Sequence, residues 1–191
     1  MIKKFRIIII PLILVIAIIG AFIFNVANNL EHSKCSANLI AGGKSSIGGD
    51  FSLIDTTGTL VNSKEIIIKP SLLYFGYSYC PDVCPFDLQR NSIAIDILAE
   101  TEIDVTPVFI TIDPDRDNAE RMKEFTTFLH PKMIGLTGSK KQILDTMRKF
   151  KVYGEKATNS FNNDEYLMDH SAFTYLVDPN MGFLDYFGRD V

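Results

Sequence analysis

Two short apolar runs, each leading into a helical pattern, constrain this chain more than any other feature. Ser71-Leu-Leu-Tyr-Phe-Gly-Tyr77 follows Pro70 and reads as a buried strand. A helix is predicted from Asp82 or Val83 to Ala99, with Pro85 tolerated in its first turn. Within it, Ala94 with Leu98 and Ile93 with Ile97 have the four-residue spacing of a buried face. Val105 to Ile112 is a second strand, ended by Asp113-Pro114. Helices are expected over Asn118 to Leu129 and over Ser139 to Phe150, with Ser139 as N-cap and a short strand, Met133 to Leu136, between them. Hairpins are expected at both ends. One spans Phe51 to Val61 and turns at Thr57-Gly58; the other joins Thr174–Val177 to Gly182–Tyr186 through Asp178-Pro179-Asn180. Strand, helix, strand, then helix and hairpin, imply an α/β domain with a mixed sheet.

Ahead of this domain lies a segment of different character. Ile7 to Phe24 is an apolar run interrupted only by Pro11 and Gly20, and as a helix its 18 residues would rise about 27 Å against a bilayer core of roughly 30 Å. A signal-peptide core is shorter, about 7–15 residues, and no good small-x-small cleavage site follows, so the run is read as an uncleaved anchor. Lys3, Lys4 and Arg6 keep the N-terminus cytoplasmic and put the rest across the membrane, in the periplasm of a bacterium. The expected layout is an N-terminal tip and single transmembrane helix over residues 1–27, a linker over 28–49, and the globular domain over 50–191. The linker is rich in breakers: Asn-Asn, Ala-Gly-Gly, Ser-Ser and Gly-Gly. Gly43-Lys44-Ser45 within it lacks the upstream glycine and strand of a phosphate loop. Beyond residue 30 the chain carries 16 basic and 23 acidic side chains, a net charge of −7 that argues against a nucleic-acid partner.

The chemistry concentrates in Tyr79-Cys80-Pro81-Asp82-Val83-Cys84-Pro85, which joins the first central strand to the first long helix. Ligands of open α/β sheets sit at the carboxyl ends of strands, and a helix N-terminus stabilises a thiolate. Cys80 and Cys84, four apart, can share one side of a helical turn. The extra residue relative to C-x-x-C suits two thiolates around one metal and does not forbid a disulfide. Cys35, in the linker, is read as an incidental thiol with no part in the site. Of the three histidines, His32 lies in the linker and His130 in a loop before Pro131. His170, in Met168-Asp169-His170-Ser171, belongs to a late loop of the kind that can return to the mouth of the first strand.

Gly76-Tyr-Ser-Tyr-Cys80-Pro-Asp-Val-Cys84-Pro, then Ile112-Asp113-Pro114-Asp-Arg116-Asp117, then Asp169-His170-Ser171 followed by Tyr175-Leu-Val-Asp178-Pro179, resemble the SCO/SenC family in order and spacing. The resemblance covers residues 48–190 and the single anchor. It implies a thioredoxin-like, membrane-anchored copper protein that assists cytochrome c oxidase assembly, with Cys80, Cys84 and His170 as copper ligands. Asp113 matches an aspartate near the family's copper site. The family continues with a helix beyond the motif matched by Gly188-Arg189-Asp190, whereas this sequence ends at Val191. Asn180-Met181-Gly182 also replaces a tighter turn. The implied donors agree with copper: soft thiolates select Cu(I), imidazole suits both copper states, and zinc in a closed site wants a fourth ligand. The partner implied is the copper-accepting oxidase subunit. Two functions are therefore expected in order: a copper metallochaperone without turnover, and a thiol–disulfide oxidoreductase that reduces the acceptor through Cys80 and Cys84. A peroxiredoxin-like peroxidase comes third, because the Thr-x-x-Cys setting is absent.

Overall fold

A computed structural model describes residues 19–20, 46–158 and 166–189 of the chain. The expected anchor, Ile7 to Phe24, lies outside them except for Ile19 and Gly20, as do Cys35, His32 and most of the linker. Among the described residues no helix is long and apolar enough to cross a membrane.

The domain opens with a hairpin of β1 (Ser52–Asp55) and β2 (Leu60–Asn62), followed by a one-turn helix α1 (Ser63–Ile66) that the sequence reading did not foresee. Asn62 and Glu65 close that turn with a reciprocal capping box. Then come β3 (Ser71–Gly76), α2 (Val83–Glu100), β4 (Thr106–Thr111), α3 (Ala119–Leu129), β5 (Ile134–Thr137) and α4 (Lys140–Phe150). A small ribbon of β6 (Gly154–Lys156) and β7 (Met168–His170) precedes the final hairpin, β8 (Thr174–Asp178) and β9 (Gly182–Phe187). Ser139 caps α4 as expected, its side chain accepting from the Gln142 N–H. Seven strands form one mixed sheet in the order β2-β1-β5-β4-β3-β8-β9. β3, β4 and β5 run parallel; the remaining pairings are antiparallel.

Neighbouring residues of β3 show why both faces are covered. Side chains alternate across a strand. Tyr74 points to α2, where its hydroxyl donates to Asp87 at 3.0 Å. It also stacks on Phe109, whose other neighbour is Phe125 of α3, 5.1 Å between centroids. Phe75 points the other way, onto Phe150 of α4 at 5.4 Å and Tyr175 of β8 at 5.7 Å. Phe75, Phe109 and Phe150 are essentially fully buried. Withdrawing each of them from water is worth about 2–3 kcal/mol.

Two sequence-based expectations fail, each for a physical reason. The buried face of α2 is Cys84, Asp87, Leu88, Asn91, Ser92 and Ile95, while Ile93 and Ile97 stand more than half exposed. The inward stripe is partly polar: Asn91 donates to the Thr174 hydroxyl at 2.8 Å and Ser92 to the Leu88 carbonyl. Hydrophobic spacing therefore pointed to the wrong side of the helix. His170 is not in a loop but is the last residue of β7, paired with Gly154. Gly154-Glu-Lys156 is too short and polar to read as a strand. Its glycine packs closely: a Cβ there would come within 2.7 Å of the terminal methyl of Met147 and 3.3 Å of Ile112.

Candidate metal centre

The site forms where β3 ends. Beyond Gly76 the chain turns through Tyr77 to Cys80, whose N–H donates to the Tyr77 carbonyl at 3.2 Å. The turn is fastened from below by a group that the sequence reading left unassigned. Asp117, wholly buried, accepts from the Ser78 N–H (2.9 Å), the Ser78 hydroxyl (2.6 Å) and the Thr111 hydroxyl (2.7 Å). Arg121 then donates to the Ser78 hydroxyl at 2.9 Å. Burial pushes the Asp117 carboxyl above its ordinary range, against the three donors.

Asp82 occupies the N-cap of α2, yet its side chain makes no capping bond. The Cys80 sulfur takes that place instead, accepting from the Cys84 N–H at 3.3 Å. An unpaired helix-terminal N–H is thus satisfied by sulfur, in the region where the helix dipole favours negative charge. Cys84 lies on the first turn of α2 and is fully buried, whereas Cys80 is partly exposed; both are free thiols. The hydrogen bond from the Cys84 side chain, joined by donors from the Cys84 and Asp82 backbone, holds the Cys80 thiol well below its usual range despite partial burial. The same bond and deeper burial push Cys84 up. The two shifts run in opposite directions, so Cys80 is the sulfur favoured to ionise and Cys84 the one favoured to keep its proton.

His170 reaches this pair from β7. Its Nε2 is 3.4 Å from the Cys84 sulfur, and its Nδ1 is 2.9 Å from the Ser171 carbonyl oxygen. A carbonyl only accepts, so Nδ1 carries the proton and Nε2 turns its lone pair toward the sulfurs. The imidazole stands edge-on to the rings of Tyr74 and Tyr77, at 6.4 and 5.9 Å. One donor atom each from Cys80, Cys84 and His170 lies within 4.8 Å of the others. Donors 2.0–2.3 Å from a metal stand roughly 3.5–4 Å apart in a trigonal site, so small side-chain rotations suffice to close this one. Among the described residues no fourth His, Cys, Asp or Glu joins the group. Two sulfurs and one imidazole make a soft, under-coordinated donor set, which fits copper better than a closed zinc site.

Asp113 lies outside this group. It is 3% exposed and engaged elsewhere, accepting from the Tyr166 hydroxyl and the Arg116 Nε, both at 2.6 Å. His130, at the C-terminal end of α3, is buried: its Nδ1 accepts from the Lys132 N–H at 3.1 Å and its Nε2 is 3.2 Å from Asp96. It is a satisfied core histidine.

Gly76 makes the close approach possible. A Cβ on it would lie 2.8 Å from the Cys84 sulfur, 3.0 Å from the Tyr74 ring and 3.1 Å from the Phe109 ring. Gly76→Ala is expected to destabilise the domain by about 1–3 kcal/mol and to displace the Cys84 sulfur from the pair. Thermal unfolding and a copper titration read the two effects separately; a variant that matches the parent in both would show that the sulfur has room to spare.

The fold and the cluster define a class: thioredoxin-like α/β domains with a Cys-x-x-x-Cys pair at the first strand–helix junction and a distant histidine returning to it. The SCO1/SenC family model matches residues 41–190, and the chain belongs to that family. Protein SenC of Rhodobacter capsulatus is 51% identical over 150 residues, which are 75% of this chain and 64% of the length of SenC. The crystal structure of Arabidopsis thaliana ScoI with copper bound superposes with a TM-score of 0.71 at 42% identity, covering 76% of this chain and 89% of that one. Yeast Sco1 with copper bound gives a TM-score of 0.71 at 38% identity, covering 77% and 82%.

Proposed function

We propose that this chain is a membrane-anchored copper metallochaperone. It carries copper as cargo on Cys80, Cys84 and His170 and delivers it to the copper-accepting subunit of cytochrome c oxidase. In this reading residues 1–27 hold the protein in the inner membrane, 28–49 are a tether, and 50–191 work on the periplasmic side. The observation that carries it is the convergence of two sulfurs and one correctly protonated imidazole within 4.8 Å. Support comes from the copper bound in similar solved structures.

The chain's own groups account for uptake and release. The Cys80 thiolate is presented at the rim, ready to receive a soft cation. The Cys84 proton leaves as the second sulfur engages. The imidazole needs no proton transfer, because its lone pair already faces the site. Three donors, two of them partly exposed, leave an approach open to the acceptor's own ligands.

A second reading is favoured by one observation. A partly exposed sulfur favoured to ionise, beside a buried one favoured to keep its proton, is also how a disulfide-exchange pair is built. Delivery separates the two. The chain loaded with one Cu(I) is mixed with the apo acceptor subunit, its cysteines reduced, and the two are separated. Copper should move to the acceptor in about one equivalent. Copper that stays behind, with an oxidised acceptor being reduced instead, would put the oxidoreductase first.

A further inference from the structure

The ribbon that brings in His170 is a separate two-stranded sheet with no ladder to the main one. An isolated two-stranded ribbon is marginal in water, so its position depends on the side chains that tie it down. We propose that Asp113, Arg116 and Tyr166 form a clamp that sets the distance between His170 and the Cys80–Cys84 pair. They are positioning residues: they decide whether the third ligand reaches the metal. This rests on the reading of His170 as a ligand.

The geometry is continuous from one half of the site to the other. Asp113 is fixed at the end of β4, where its N–H donates to the Thr111 hydroxyl at 2.9 Å. Its carboxylate accepts the Tyr166 hydroxyl on one oxygen and the Arg116 Nε on the other, each at 2.6 Å. Tyr166 is 4% exposed and lies four residues before His170, two residues ahead of the strand that carries it. The Arg116 guanidinium sits 3.5 Å from the centroid of the Tyr166 ring, and the Lys156 ammonium of β6 sits 3.8 Å from the same centroid. Arg116 also lies 4.8 Å from the ring of Tyr79, the residue before Cys80, and Arg121 lies 4.9 Å from that ring. Cation and ring therefore alternate from Lys156 through Tyr166, Arg116 and Tyr79 to Arg121. The stack spans from the histidine ribbon to the cysteine turn, with a buried carboxylate holding its centre. Arg116 faces two rings and donates to Asp113 at once, which the planar guanidinium allows and the point charge of a lysine in its place does not.

Groups that orient a metal ligand without touching the metal typically change affinity by about 10–100-fold. Tyr166→Phe keeps both faces of the ring and removes only the bond to Asp113. The test is a Cu(I) competition titration against a chromogenic chelator, on the full chain and three variants: Tyr166→Phe, His170→Ala and the double substitution. Tyr166→Phe is expected to weaken copper about 10-fold in the parent and to change nothing further in the His170→Ala background, because the clamp acts through His170. Oxidation of Cys80 and Cys84 to a disulfide should proceed equally in all four proteins. Arg116→Lys, which keeps the charge, is expected to show the same dependence on His170 and serves as the second probe if Tyr166→Phe unfolds. Equal weakening with and without His170 would overturn the clamp, as would an unchanged affinity in both single variants. Parent-like binding by His170→Ala would instead remove the ligand reading on which the clamp stands.

Discussion

His170→Ala is expected to weaken Cu(I) binding by more than about 100-fold while leaving the cysteine pair free to form its disulfide. Loss of a group that merely orients a ligand costs about 10–100-fold, and loss of the ligand itself should exceed that. The substitution empties the position 3.4 Å from the Cys84 sulfur and leaves two thiolates, one donor fewer than the parent site. The imidazole is held by Ser171 and by the edges of two tyrosine rings rather than by the helix that bears the cysteines. Its removal therefore leaves Cys80 capping α2 and Cys84 buried. A chelator competition titration measures the affinity, and a thiol count after mild oxidation measures the pair. Equal affinity in parent and variant would rule out a third ligand at this position.

Oxidation should be still more complete in its effect. Metal binds thiolate, and joining Cys80 to Cys84 consumes both. The chain oxidised before exposure to Cu(I) is expected to retain essentially no copper after desalting; the reduced chain should retain one per molecule. A reductant added to the oxidised sample should restore the full equivalent. Copper kept by a demonstrably disulfide-bonded chain would mean that the metal sits elsewhere. The same exclusion explains how chaperone and reductase readings can share one pair of sulfurs: a molecule that holds copper is reduced, and one that has just reduced a partner is empty.

The two cysteines were legible because local rules meet at them. A buried strand ends at Gly76, a helix begins at Val83, and the pair spans that junction, so the sheet's ligand-binding edge and the helix terminus coincide. His170 was not legible in that way. It stands 86 positions from Cys84, and its segment carries no apolar pattern. Only the ordered motifs shared with the SCO/SenC family singled it out, and the fold supplies the physical reason, a short ribbon that returns over Ile112. The core face of α2 was misread because Asp87, Asn91 and Ser92 are buried through hydrogen bonds, while Ile93 and Ile97 remain outside. Hydrophobic periodicity cannot register an inward polar stripe. The bond from Tyr166 to Asp113 joins residues 53 positions apart, and neither residue type betrays it. Asp113 and Asp117 stand in one acidic run, yet one binds tyrosine and arginine while the other supports the cysteine turn.

X-ray absorption at the copper edge of the reduced, Cu(I)-loaded chain tests the central claim most directly, because it counts donors around the metal without any substitution. Two sulfur scatterers and one imidazole nitrogen per copper are expected, with the nitrogen signal lost in His170→Ala and the sulfur count unchanged. A first shell of sulfur alone, or of two or more imidazoles, in the parent protein would contradict the site formed by Cys80, Cys84 and His170.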